Sequence, residues 1–238
     1  LSYARQVVEQ TNLLEERYKS HTETRELFSV SSQHYAFVVN AFVSLLKRAD
    51  MTRYELFLRE TRTYEIIEDV KNFRSEIGVL FLNSYNRDVL TKMFDDNRLT
   101  YTSLFKARPH IFVSKSNPLA KHEVVSLEDL EDFPYLSYDQ GIHNSFYYSE
   151  EILSQIPHKK SIVVSDRATL FNLLIGLDGY TIATGILNSN LNGDNIVSIP
   201  LDIDDEIDIV YLKHEKATLS KMGEKFLDNL VKEVTFDN

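Results

Sequence analysis

Small polar residues follow several strands that the sequence predicts, and their hydroxyl and amide groups suit binding of an anionic or zwitterionic metabolite. Free backbone N–H groups and the helix dipole favour negative charge at a helix N-terminus, where such residues often stand. Each residue taken singly is commonly a cap or turn residue, so their convergence at one edge of a sheet is what indicates a site. The candidates from the first half of the chain are Ser31, Ser32 and Gln33, then Thr61, then Asn83 and Ser84.

A second group of candidates comes from the other half of the chain. Tyr138, Gln140 and Gly141 follow one predicted strand, and Thr184 follows a later one. We expect them to face the first group, although Tyr138 fits the core equally well and Gly141 fits a simple turn.

Signatures of catalysis and of metal binding are absent. The sequence contains no Gly-x-Ser-x-Gly, no Gly-x-Gly-x-x-Gly and no phosphate loop. It has no Cys, and its seven His include no pair three or four residues apart. The acidic run from Asp202 to Asp208 lacks the Gly and final Glu of a calcium loop, which favours a solvated turn. We therefore predict no enzyme activity, no metal and no cofactor, and we interpret His34 as a helix first-turn residue because spacing assigns it no carboxylate partner.

Composition narrows the class of protein further. The 26 Lys and Arg stand against 36 Asp and Glu, a formal net charge of −10, which argues against this chain gripping nucleic acid itself. The longest apolar run, 77–82, is far shorter than the roughly 20 residues of a membrane span. No signal segment opens the chain, and zero Cys fits a reducing compartment, so we expect a cytoplasmic protein without membrane contact.

Strands and helices alternate along the chain. Apolar residues at helical spacing from Val38 to Leu46 predict a helix, for which Ser31 or Ser32 would be the cap, and 77–82 predicts a buried strand. The same rhythm returns in the second half, with a helix predicted over 145–156 and another capped by Asp166. Strand–helix–strand order implies parallel pairing.

The order of elements predicts two α/β lobes. Long strands near 104–114 and 207–214 would join them, and the last helix, which carries Phe226 and Leu230, would return to the first lobe. Ligands of such folds lie between the lobes, at strand C-termini and helix N-termini.

Two adjacent stretches resemble the effector-binding domain of LysR-type transcriptional regulators. They are Ala107-Arg-Pro-His-Ile-Phe-Val-Ser-Lys-Ser-Asn-Pro-Leu-Ala120 and Val125-Ser-Leu-Glu-Asp-Leu-Glu-Asp-Phe-Pro-Tyr-Leu136. They are similar, in order, to the family's strand, Pro-Leu-Ala turn, "hydrophobic-x-Leu-x-Asp-Leu" helix and following strand. The resemblance extends over essentially the whole chain.

The resemblance implies a type 2 periplasmic-binding-protein-like fold, with each lobe a sheet flanked by helices and two crossover strands between them. It implies that 1–20 is the tail of a linker helix, 25–105 plus 215–238 the first lobe, and 106–214 the second. It also implies a small-molecule effector in the cleft, a homodimer or tetramer, and a preceding winged helix-turn-helix that binds DNA. Ser31, Ser32, Gln33 and Thr61 match family ligand contacts best, while the chain departs from the family pattern over 176–186, around Thr184.

Two other functions remain open at this point. A type 2 solute-binding protein of a transporter shares the fold but requires an export signal or lipid anchor upstream. An enzyme on the same fold lacks any nameable nucleophile or acid–base pair. The neutral Ser, Thr and Gln at the matching positions, with no Arg among them, favour an amino acid or a small organic acid as the effector.

Overall fold

The computed structural model describes residues 26–48, 53–187 and 193–235, and the predicted linker tail at 1–20 lies outside these ranges. In chain order the elements are β1 (Glu26–Ser32), α1 (Ala36–Arg48), β2 (Tyr54–Glu60), α2 (Thr63–Lys71), β3 (Ile77–Leu82), α3 (Arg87–Asp96), β4 (Leu99–Ala107), β5 (His110–Ser114), β6 (Tyr135–Tyr138), β7 (Ser161–Val164), α4 (Arg167–Leu177), β8 (Tyr180–Ala183), β9 (Ile196–Pro200), β10 (Ile207–His214) and α5 (Lys221–Thr235). Short 3-10 turns lie at Pro118–Lys121, Glu128–Leu130 and Phe146–Tyr148.

The first lobe is built on a five-stranded sheet in the order β2-β1-β3-β10-β4. β1 pairs in parallel with β2 and β3, as predicted, so the C-terminal ends of these three strands lie side by side. Ser32 is paired with Glu60 and with Val79, and the backbone N–H of Thr61 donates to the Ser32 carbonyl. The predicted strand ends therefore do converge on one edge of the sheet.

The second lobe holds the sheet β7-β6-β8-β5-β9, in which β5 is antiparallel to both of its neighbours. The two-lobed α/β fold is thus confirmed. β10 pairs with β3 and β4 in the first sheet, although the predicted boundary placed 207–214 with the second lobe.

Two short connections join the lobes. The predicted long strand near 104–114 is divided into β4 and β5 at Arg108 and Pro109, where the chain passes from one sheet to the other. Proline has no N–H for a sheet hydrogen bond, but the Pro109 carbonyl accepts from Leu201 N at 3.0 Å. The outgoing and returning chains therefore contact each other between the lobes.

The last helix packs on the first lobe. Phe226 of α5 is fully buried, with its ring centroid 5.5 Å from that of Phe28 and 6.5 Å from that of Phe42 on α1. α5 closes the apolar face of the first sheet because this ring fills the space between β1 and α1.

Two local predictions are wrong, and one helix lies where none was predicted. The helix expected over 145–156 is only a 3-10 turn followed by irregular chain, because Glu150 and Glu151 point inward and Leu153 has a positive φ of 60°. Ser31 and Ser32 do not cap α1, since both are the last residues of β1. α3 went unpredicted because only two of its residues, Leu90 and Phe94, are buried.

We expect Phe226→Ala to lower the free energy of unfolding by about 3–5 kcal/mol, because a buried aromatic ring leaves a cavity. Val231→Ala on the same helix is the matched control; Val231 is 39% exposed, and a loss of at most about 1 kcal/mol is expected. Urea unfolding at equilibrium measures both, and equal losses would show that α5 does not complete the core.

Candidate ligand-binding cleft between the lobes

A cavity lies between the lobes, beside the C-terminal edge of the first sheet. Residues of the first lobe on its wall include His34 and Tyr35, and residues of the second include Tyr138, Arg167 and Thr184. Its free volume is about 50 Å³, which is room for a few water molecules. An effector of the size of an amino acid requires more space than the lobes leave here.

His34 and Glu150 join the two walls. Glu150 Oε2 lies 2.9 Å from the backbone N of His34 and 2.8 Å from its Nδ1, and both side chains are less than a tenth exposed. The His34 ring also stacks on Tyr138, with 4.1 Å between the ring centroids. Spacing could not assign this partner to His34, because Glu150 lies 116 residues further along the chain. The interpretation of His34 as a helix first-turn residue is wrong, because α1 begins at Ala36.

The charged groups around His34 shift its pKa. Burial lowers the pKa of His34, but the hydrogen bond with Glu150 and the charges of Glu150 and Glu60 outweigh it, so the net shift is upward. Glu60, at the end of β2, lies 3.3 Å from Arg167 of the second lobe. Burial raises the pKa of Glu60, and the charges of Arg167 and His34 oppose that rise.

Glu151 is a second buried carboxyl group beside the cavity. Its side chain is enclosed, and Oε1 accepts from the backbone N of Tyr138 at 3.0 Å. Burial and the neighbouring charge of Glu150 raise the pKa of Glu151 well above its usual range.

Gln140 and Asp139 reach the first lobe at the start of α2. Gln140 Oε1 accepts from the backbone N of Thr63 at 3.1 Å, and Asp139 accepts from Arg62 at 2.5 Å. Gly141 has a φ of +61°, and an added Cβ would lie 2.8 Å from the Arg62 guanidinium. Glycine at 141 therefore allows this loop to approach α2 closely.

Most of the predicted ligand contacts in the first lobe already make hydrogen bonds within that lobe. Ser31 bonds to Asp69 and Ser75, Gln33 bonds to Thr63, Tyr35 and the backbone N of Phe81, and the Thr61 hydroxyl donates to Glu65. Ser32 differs, because its buried Oγ has no hydrogen-bond partner among the described residues. Of this group, only the Ser32 hydroxyl is both buried and unpaired.

The remaining predicted residues lie in three places. Tyr138 and Thr184 line the cavity, and Gln140 and Gly141 border a separate groove. Asn83 and Ser84 lie apart from them and bond to Asp205, on the connection between β9 and β10.

The acidic run over 202–208 is only partly solvated. Asp208 is buried and accepts hydrogen bonds from Arg87 at 2.9 Å and Ser103 at 2.5 Å. The expectation of a fully solvated turn is wrong at this residue, because Asp208 lies within β10 between β3 and β4.

Sequence reasoning missed four charged groups where the lobes meet: Glu150, Glu151 and Arg167 on the cavity wall, and Glu60 beside Arg167. Each lies in a stretch that looks like a polar surface segment, and their partners are distant in the sequence. In the part of the chain that the structure describes, no group of three or more His, Asp or Glu is arranged to hold a metal. No described helix is both long and apolar enough to cross a membrane.

The family model of the LysR substrate binding domain matches residues 31–235. This chain belongs to that family. The LysR domain here is therefore the effector-binding part of a transcriptional regulator, as the resemblance implied. No curated protein sequence gives a match.

Solved structures share this LysR fold at low sequence identity. A mutant of OxyR from Corynebacterium glutamicum has a TM-score of 0.64 and 13% identity, over 99% of this chain and 73% of that one. HinK, a LysR family regulator from Pseudomonas aeruginosa, has a TM-score of 0.57 and 14% identity, over 98% and 78%. The effector-binding domain of QuiR, solved with shikimate, has a TM-score of 0.57 and 16% identity, over 88% and 97%.

We expect His34→Gln to alter the pH dependence of stability. The pKa of His34 is raised in the folded chain above its unfolded value of about 6.5, so folding binds the proton more tightly. This contribution is complete below about pH 6.5 and is lost as the pH rises through the raised value. The free energy of unfolding, measured with urea from pH 5.5 to 8.5, should fall less steeply in the variant.

His158→Gln is the control for that measurement. Burial lowers the pKa of His158, so its contribution has the opposite sign and removing it should make the fall with pH steeper. The same slope change in both variants would contradict the role given to the pair of His34 and Glu150.

Proposed function

We propose that this LysR domain senses a small metabolite held between its lobes and transmits the lobe arrangement to an oligomer, a homodimer or tetramer. A winged helix-turn-helix outside this chain would bind the DNA. The formal net charge of −10 supports a division of labour of this kind, because phosphate contacts need clustered Lys and Arg.

The observation that carries the proposal is the cavity bridged by polar groups from both lobes. His34 and Glu60 of the first lobe contact Glu150 and Arg167 of the second, respectively. A ligand at this position must exchange hydrogen bonds with groups that hold the lobes together. It would therefore bind one lobe arrangement better than another and shift their populations.

The donor and charged groups where the two lobes meet favour a small ligand that carries a carboxylate. The backbone N–H groups of His34 and Thr63 both donate into the cleft, which suits acceptor oxygens. Arg167 and Glu60 add one cationic and one anionic group. We therefore propose an amino acid or a small organic acid as the effector.

A thermal-shift screen of this chain against amino acids and small carboxylic acids tests the proposal. A ligand at about 100 times its Kd adds about 2.7 kcal/mol to the free energy of unfolding, and each kcal/mol raises the Tm of a domain of this size by about 2–4 °C. We expect a saturable rise with one chemical class.

Variants locate the site within the same screen. Thr184→Val removes a hydroxyl group on the cavity wall, and Ser32→Ala removes the buried, unpaired hydroxyl group at the end of β1. If both groups contact the ligand as proposed, each change should lower the affinity for an effective ligand by about tenfold, the worth of one hydrogen bond. Ser29→Ala, the same change three residues earlier on β1, is the control and should leave the affinity unchanged. A ligand that stabilises all three variants equally would bind elsewhere.

A further inference from the structure

Glu150 is bound to the first lobe in the way that a carboxylate ligand would be. Its Oε2 lies within hydrogen-bond distance of two donors of His34, the backbone N and Nδ1, and its Oε1 accepts from Gln140 Nε2 at 3.0 Å. The side chain is 3% exposed. Two donors on one oxygen and a third on the other satisfy a buried carboxylate.

Gln140 extends this arrangement to the start of α2. The same amide that donates to Glu150 accepts from the backbone N of Thr63 through its oxygen. Two donor positions of the first lobe, at His34 and at Thr63, thus hold side chains of the second lobe. With these side chains in place, the cavity keeps only about 50 Å³ of free volume.

We propose that the His34 donors form a carboxylate subsite which Glu150 occupies in this structure and which the carboxylate of the effector takes in its place. This inference rests on the proposed function. It adds that Glu150, a residue of the chain itself, competes with the effector for the same donors. Glu150 and the effector exclude each other, because one set of donors cannot serve two carboxylates. The affinity for the effector is therefore reduced by the free energy needed to withdraw Glu150.

Features around Glu150 allow it to leave. It lies outside regular secondary structure, between the 3-10 turn Phe146–Tyr148 and β7, so its withdrawal breaks no helix or sheet. The neighbouring Glu151 is also buried, and two adjacent buried carboxyl groups are costly to keep dehydrated. Both become hydrated when the segment swings out.

Glu150→Ala with acetate as the probe tests the subsite directly. The substitution removes a CH2–COO⁻ group, which has the size and charge of acetate. Acetate should raise the Tm of E150A in a saturable way, with a Kd on the order of millimolar or weaker for so small a ligand. Chloride at equal ionic strength should not, and the wild-type chain should show no acetate-specific rise.

Glu150→Gln is the matched control, because the amide still fills the space. Its acetate response should equal that of the wild-type chain. An E150A response no larger than that of E150Q would overturn the proposal. Should E150A fail to fold, its refolding yield in acetate against chloride gives the same answer: recovery in acetate alone supports the subsite, and equal yields overturn it.

The experiment separates this inference from the function it rests on. Acetate rescue with no stabilising metabolite in the wild-type screen would support the subsite and count against the sensor. A stabilising metabolite without acetate rescue would keep the sensor and remove the subsite. A carboxylate metabolite that binds E150A more tightly than the wild-type chain would support both.

Discussion

A buried carboxylate must find donors, and in this molecule the donors for Glu150 lie on the opposite lobe. Leaving such a charge unpaired costs several kcal/mol, so wherever Glu150 is enclosed, the backbone N and ring of His34 must be beside it. That requirement sets the distance between the two sheets at the cleft. Tyr138 then stacks on the His34 ring, and the neighbouring pair of Glu60 and Arg167 falls within reach across the same gap.

The contacts that join the two lobes stabilise this lobe arrangement only modestly, because each of them replaces a contact made with water. An ion pair that is partly exposed, such as Arg62 with Asp139, contributes little to stability. The buried pair contributes more to specifying the lobe arrangement than to the total free energy of folding. An equilibrium of a few kcal/mol between two lobe arrangements is one that a small ligand can shift.

Local patterns in the sequence predicted the elements whose residues meet their neighbours at short range. The apolar run 77–82 became a buried strand, the stripe from Val38 became α1, and Asp166 caps α4 by accepting from Thr169 N. The contacts at the cleft cannot be predicted from local patterns of this kind. Glu150 has the polarity of a surface helix residue and turns inward only because His34, 116 residues away, receives it. Ser31 and Ser32 were both predicted as ligand contacts. Nothing in the sequence shows that the Ser32 hydroxyl stays unpaired while the Ser31 hydroxyl donates a hydrogen bond to Asp69.

The place of β10 in the first sheet has a consequence for how the chain folds. β10 lies between β3 and β4, yet the whole second lobe is synthesised between β4 and β10. While the ribosome makes the second lobe, the edges of β3 and β4 that later pair with β10 therefore have no partner strand. The face of the sheet that carries α1 is also not yet covered by α5. Such edges attract other chains. The second lobe is continuous in the chain, so its strands β5 to β9 can all pair before the first sheet is complete.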